Sequence, residues 1–249
     1  MKAPVSGPLA DYREIWNRKP ALRLIYDDLY DRVAAACRTG LTIEIGGGIG
    51  SLKQKLKGAI TTDIQYAPWL DCVVDAQRLP FATGSVGNIV MIDVLHHLEF
   101  PVMFFREAAH VLRPGGLAVM VDPAITWGST AFYRLFHHEP VRAAADVLVD
   151  GVPHPGRDPY KSNQAIPSML VTRERDRFHQ LLPELCIVRV EWFSLAAYPL
   201  SGGFKRWSLV SAGMVRRMLR IERAIEPALG RFMAFRMMVI VEKRADREP

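Results

Sequence analysis

Glu44-Ile45-Gly46-Gly47-Gly48-Ile49-Gly50 stands between a β-like run at residues 41–45 and a helix-like run at 51–56. An acid followed by alternating glycines strips the side chains from a turn at the end of a strand. A Cβ there would block a ligand from approaching the backbone, and glycine takes the positive φ of such a turn without steric cost. Spacing excludes two familiar glycine-rich turns. A G-x-G-x-x-G pattern counted from Gly46 and Gly48 needs a third glycine where Ser51 stands, and the G-K-S/T ending of a Walker A loop is absent. What remains is E-x-G-x-G-x-G, a turn built for a nucleotide-like cofactor.

Working outward, a strand-like stretch at 59–64 carries Asp63 near its end, about twenty residues past the first glycine, where a carboxylate can accept from two ribose hydroxyls. Cys72-Val73-Val74-Asp75-Ala76 is a second β-branched run ending in an acid, followed by Leu79-Pro80-Phe81. A fourth strand at 89–92 leads into Asp93-Val94-Leu95-His96-His97-Leu98. A helical stretch then ends in Arg113-Pro114-Gly115-Gly116.

In this order the five segments resemble the class I S-adenosylmethionine-dependent methyltransferases, over residues 41–122, about a third of the chain. The resemblance implies a Rossmann-like, doubly wound α/β fold: a mostly parallel seven-stranded sheet with flanking helices, its last strand antiparallel, and an insert after the fifth strand. It implies S-adenosylmethionine as cofactor, cradled by Gly46, Gly47, Gly48 and Gly50. Glu44 would help hold the methionyl ammonium through water, Asp63 and Ile64 would meet the ribose, Asp75 and Ala76 the adenine, and Asp93 would line the same site. Three positions depart from the family pattern: Glu44 for the commoner Asp, Asn88 for Asp and His110 for Arg.

The 249 residues, 49% hydrophobic and 23% charged, suit one elaborated domain spanning 1–249, with a helical cap at 1–40, a cofactor core at 41–122 and substrate-side insertions at 123–185 and 194–232. Helices are expected at 9–16 and from Pro20, where Leu22, Ile25, Tyr26, Leu29 and Val33 share a face and Gly40 sits at the C-terminal cap. Residues 117–121 read as a fifth strand, 186–193 as a sixth and 235–241 as a seventh. Four prolines and two glycines make 150–167 a long irregular loop, and the charged tail at 242–249 frays. Cys37, Cys72 and Cys186 show no C-x-x-C pairing and are expected as buried free thiols. With no apolar run of the ~20 residues that span a bilayer and no apolar signal core after Met1, a cytoplasmic protein is expected.

Methyl transfer from a sulfonium is an in-line displacement, so positioning supplies much of the catalysis and a base is needed only when the nucleophile sheds a proton. His96, His97, His137 and His138 are the catalytic candidates, the first pair following the fourth strand and the second lying in the insert beside Glu139. Each pair has a plainer reading, as scaffold or as a polar helix end. Neither has His-x3–5-His or H-E-x-x-H spacing, so no metal is expected. Tyr160, Lys161, Asn163 and Gln164 offer hydrogen bonds to a polar acceptor, or belong to a solvated loop.

The formal charge of +6 is concentrated late: Lys205, Arg206, Arg216, Arg217, Arg220, Arg223 and Arg231 face only Glu222 and Glu226 across 202–232. There Val210, Met214, Met218, Ile221 and Ile225 recur at helical spacing, with arginines turned elsewhere. Such a segment lies on anionic lipid at the inner face of a membrane, or packs on the domain with a solvated basic face. The leading function is methyl transfer to an oxygen of a small or lipid-linked acceptor such as a sugar or other biosynthetic intermediate. An RNA methyltransferase is the alternative, weakened by the lack of an Asn/Asp-Pro-Pro-aromatic box after the fourth strand. A non-catalytic binding or scaffold protein of the same fold is the second, weakened by the intact glycines and acids.

Overall fold

The computed structural model describes residues 7–136, 140–154 and 156–245. Seven strands, β1 (Thr42–Ile45), β2 (Ile60–Asp63), β3 (Cys72–Val73), β4 (Val86–Ile92), β5 (Leu112–Pro123), β6 (Leu185–Phe193) and β7 (Arg236–Lys243), form one sheet in the order β3-β2-β1-β4-β5-β7-β6. The first five run parallel, and β7 inserts antiparallel to both β5 and β6. This is the mostly parallel, doubly wound sheet expected.

The helices are α1 (Pro8–Arg18), α2 (Pro20–Ala36), α3 (Pro101–Val111), α4 (Trp127–Phe136), α5 (Ile166–Val171), α6 (Arg175–Leu181), α7 (Ala197–Ser201) and α8 (Ala212–Met233). Both faces of the sheet are buried, and the strands serve them alternately because successive side chains point to opposite sides. Ile89, Met91, Ala118, Met120, Val239 and Val241 enter the core shared with α3, α5 and α6. Val90, Val119, Val121, Met238 and Ile240 enter the one capped by Leu22, Tyr26, Leu29 and Val33 of α2. That α2 face is the one its periodicity predicts.

Local differences have physical causes. Residues 51–56 form only a short 3-10 turn at Leu52–Gln54. The link from β1 to β2 is short and the glycine turn takes its first part, leaving too little chain for an α-helical crossover. Helix α2 ends at Ala36, so Gly40 is not its cap. At φ +128° Gly40 instead packs on Gly87, where a Cβ would lie 3.4 Å from the neighbouring Cα. Asn88 is buried; its side chain accepts from the Arg38 N–H and donates to the Arg38 carbonyl and the Thr42 hydroxyl, so it fastens the end of α2 to β1. None of the cysteines is fully buried, and Cys72, on the short edge strand β3, is exposed.

Helix α8 packs on α2 and β6 through only part of the stripe read from sequence: Val210, just before the helix, is buried and Met218 packs against the same cluster. Its buried positions are Val215, Glu222 and Gly230, while Met214, Ile221 and Ile225 are exposed. Glu222 packs inward because it accepts the N–H groups of Leu195, Ala196 and Ala197, the entry to α7. At Gly230 a Cβ would come within 2.5 Å of the Trp192 carbonyl oxygen of β6.

Candidate functional site

The carboxyl ends of β1, β2 and β4 meet at the glycine turn. The turn is pinned by Gly47 N–H donating to the Thr62 carbonyl at 2.7 Å and by Gly50 N–H closing on the Gly47 carbonyl. Gly46, Gly48 and Gly50 all have positive φ, +71°, +49° and +72°. Their missing side chains serve different ends. A Cβ on Gly46 would lie 2.2 Å from Val94 Cγ2, and one on Gly50 would lie 3.1 Å from the Trp69 ring. Only Gly48 faces open space, its nearest neighbour being the Gly46 carbonyl at 3.9 Å. Two of these glycines therefore admit protein, and the third leaves room for a ligand.

Two acids flank that opening. Glu44, at the end of β1, is 3% exposed, and its Oε2 has no hydrogen-bond partner. Burial, reinforced by the neighbouring Asp63 carboxylate, pushes its pKa up to about 8. A buried carboxyl group with an unpaired oxygen is costly and calls for an explanation. Asp63 accepts from Gly48 N–H at 3.1 Å and from Gln65 N–H at 2.9 Å, so it braces the turn while keeping acceptor capacity. Burial raises its pKa, against the lowering pull of those backbone donors.

The other expected cofactor residues are more committed to protein. Asp75 receives the Arg157 guanidinium at 2.6 Å, Ala76 is buried and Ile64 lies at the surface. Asp93, at φ +58°, takes a bidentate ion pair from Arg236 of β7, both contacts at 2.8 Å, and meets the Tyr26 hydroxyl at 3.3 Å. Burial pushes the Asp93 carboxyl up, but Arg236 prevails and holds it below the usual carboxylate range.

The catalytic candidates divide. His96 is buried, with Nδ1 2.6 Å from Asp122 Oδ1 at the end of β5, while its carbonyl accepts from Asn163 N–H. It ties the segment after β4 to both β5 and the insert. His97 is partly exposed, and its Nδ1 lies 3.3 Å from the Lys161 carbonyl. A carbonyl only accepts, so in the neutral ring that contact favours a proton on Nδ1. His137, His138 and Glu139 lie outside the described residues, as does the end of the charged tail. Among the described residues no cluster of metal-ligating side chains occurs. Of the insert's polar residues, Asn163 fastens its own loop through the Arg142 backbone, Gln164 is buried, and the Tyr160 hydroxyl accepts from Gln65 Nε2 at 2.8 Å.

A cavity of about 470 Å³ opens beside this segment, lined among others by His96, His97, Arg142, His154, Lys161 and Asn163. Arg157 and Glu99 stand at it already paired, with Asp75 and His154 respectively. Asp146, paired with Arg177, and Asp158 line it too, so three acids stand against the three bases Arg142, Arg157 and Lys161 and the lining is polar with balanced charge.

The family model described as Methyltransferase domain matches residues 44–120, from the buried glutamate through the glycine turn and β4 into β5. Those residues carry a methyltransferase domain, and the sheet around them has the Rossmann-like methyltransferase fold. None of the curated proteins compared matches this methyltransferase significantly. Among solved structures it resembles a SAM-dependent methyltransferase from Archaeoglobus fulgidus, at 14% identity and TM-score 0.54 over 90% of this chain and 94% of that one. A SAM-dependent methyltransferase from Thermotoga maritima is similar at 15% identity and TM-score 0.53, covering 90% and 91%. A chain of the Haloferax volcanii complex between the Trm112 methyltransferase activator and a methyltransferase covers 97% and 96% at 13% identity and TM-score 0.50. At these identities the likeness speaks to the fold.

S-adenosylmethionine is the cofactor of this class, and the residues present fit it. The orphaned Glu44 carboxyl suits an ammonium, Gly48 leaves space against bare backbone, and Asp63 keeps lone pairs for hydroxyl donors.

Residues that the sequence reading missed are Tyr26, Trp69, Arg157 and Arg236. The indole N–H of Trp69 holds the Gly48 carbonyl at 2.8 Å, with Arg13 of α1 stacked over the ring at 4.1 Å. This contact brings the N-terminal cap to the glycine turn. Arg236 carried a visible signal, a lone arginine opening an otherwise apolar strand, since a buried charge needs a partner.

Proposed function

We propose that the chain transfers the methyl group of S-adenosylmethionine to an oxygen of a small polar acceptor, free or lipid-linked, held by the insertions at 123–185 and 194–232. The observation that carries this reading is the polar cavity at the His96-His97 segment, beside the end of β4, lined by side chains of both charges. In this reading Glu44 holds the cofactor's ammonium, Gly46 to Gly48 and Gly50 lie along it, and Asp63 with Ile64 meets the ribose. Asp75 and Ala76 take the adenine end, with Arg157 released from Asp75 as the cofactor enters. Asp93 acts through Arg236, fixing the turn after β4 rather than touching the ligand.

When bound, the cofactor supplies an activated methyl on a sulfonium. The chain's own work is then to orient the acceptor and accept one proton. We assign that role to His97, whose Nδ1 faces the Lys161 carbonyl. His96 positions that segment through Asp122. Arg142 and Lys161 as donors, and Asp158 as an acceptor, favour a polar, hydroxyl-bearing acceptor.

The test is incubation with methyl-labelled S-adenosylmethionine and a cell extract, with the labelled product identified by mass. An O-methylated polar small molecule or lipid is expected. His97→Gln should lower its formation by about a hundredfold while cofactor affinity is unchanged. Label in RNA, or on nitrogen or carbon, would contradict the acceptor assignment, and no label at all would favour a binding protein of the same fold.

A further inference from the structure

Helix α8 presents three longitudinal faces at ~100° per residue. One, with Val215, Glu222 and Gly230, is buried against the domain. A second, with Met214, Ile221, Ile225, Leu229 and Phe232, is exposed to solvent, Ile221 at 60% and Phe232 at 55%. The third, with Arg216, Arg217 and Arg220, runs beside it and is exposed as well. A helix that only covers a core needs one apolar stripe; this one has a second, facing outward. Both acids of the helix are turned away from that surface: Glu222 accepts three backbone N–H groups, and Glu226 accepts from Ser194 N–H and pairs with Arg32.

The surface extends past both ends of the helix. At its C-terminal end Gly128 of α4 packs against Met233, so a Cβ there would lie 3.0 Å from the sulfur, and the adjoining Trp127 is 86% exposed. At its N-terminal end the segment Lys205-Arg206-Trp207-Ser208-Leu209 leads into the helix with Leu209 71% exposed. This segment is held in place by the buried Lys19 ammonium, which donates to the carbonyls of Gly203, Lys205 and Trp207. Among the described residues no helix is long and apolar enough to cross a membrane.

We propose that this surface docks on an anionic lipid bilayer, with the apolar stripe entering the headgroup region and the arginines meeting lipid phosphates. Charge decides between the occupants. A second copy paired about a twofold axis would set the same arginines near their own equivalents with no helix carboxylate to meet them. Anionic headgroups supply the missing partner. Exposed tryptophan at the edge of an apolar stripe suits the interface, where one end of the ring is wet. Trp127 opens the helix that follows the carboxyl end of β5, so the docked face reaches the substrate side of the sheet. The inference extends the lipid-linked branch of the proposed function, and its readout needs no cofactor, so the two can fail separately.

The test is co-sedimentation of the full chain with vesicles of phosphatidylcholine alone and of phosphatidylcholine mixed with phosphatidylglycerol, at low and high salt. Pelleting is expected with the anionic vesicles only, and less of it at high salt. Arg217→Gln with Arg220→Gln should weaken partition roughly thirtyfold, about fivefold for each charge removed. Ile221→Gln with Phe232→Gln should weaken it comparably, and all four sites are exposed, so melting should not change. A wild-type chain that stays in the supernatant with anionic vesicles would overturn the proposal. So would variants that pellet like wild type, or a solution dimer that the Ile221→Gln/Phe232→Gln pair dissolves.

Discussion

Replacing Glu44 by Gln should yield a ligand-free protein that is more stable than wild type at neutral pH and binds S-adenosylmethionine poorly. The folded state holds the Glu44 proton up to about pH 8, against an ordinary value of 4.5. Across that window the folded chain binds more protons than the unfolded one. The carboxyl's contribution is therefore fully present below 4.5 and is lost as pH rises toward 8. Glutamine carries no such penalty, and a gain of about 3 kcal/mol is expected at neutral pH, since each tenfold change in proton affinity is worth ~1.4 kcal/mol. Function should move the other way. The cofactor's ammonium requires the carboxylate, so wild-type affinity should rise with pH toward 8 and binding should release a proton. Both the pH dependence and the proton release should vanish in Glu44→Gln. Thermal melts across this range, with calorimetry in buffers of different ionisation enthalpy, test both halves. Matching pH profiles for the two proteins would contradict the assignment.

Arg236→Met should cost roughly 3 kcal/mol of stability, because it leaves the Asp93 carboxylate without its partner. The guanidinium is 3% exposed, binds both Asp93 oxygens at 2.8 Å and stacks over Tyr198 at 4.2 Å. It joins β7 to the turn after β4 and to α2 and α7. Adding Asp93→Asn should recover much of the loss, since a neutral amide pays far less for desolvation than an unpaired carboxylate. Urea titrations of the three variants measure this. A single variant that unfolds with the wild type would show the pair to be dispensable.

Much of this arrangement is legible in the sequence because it is local. The glycine turn, the acids closing β1, β2 and β3, and the α2 face each lie within a short window where period and residue type decide the outcome. What escapes is long-range. Arg157 meets Asp75 from a proline-rich loop, and Arg236 meets Asp93 across the sheet, so neither pair has a spacing to read. The role of each glycine also depends on a distant neighbour, Val94 for Gly46 and Trp69 for Gly50. For α8 the periodicity is right, but of the stripe chosen Val210 and Met218 pack on the domain while Met214, Ile221 and Ile225 face solvent. The helix carries two usable stripes, and a buried glutamate serving the backbone at 195–197 selects the less apolar one.

The most direct measurement is a calorimetric titration of S-adenosylmethionine into the wild-type chain and into Gly48→Ala. Gly48 faces open space within the protein, so alanine there adds backbone strain of about 1 to 2 kcal/mol but no clash with the fold. Saturable one-site binding is expected for the wild type and a large loss for a still-folded Gly48→Ala. No saturable binding to the wild type, or equal affinity in the two proteins, would contradict the cofactor site.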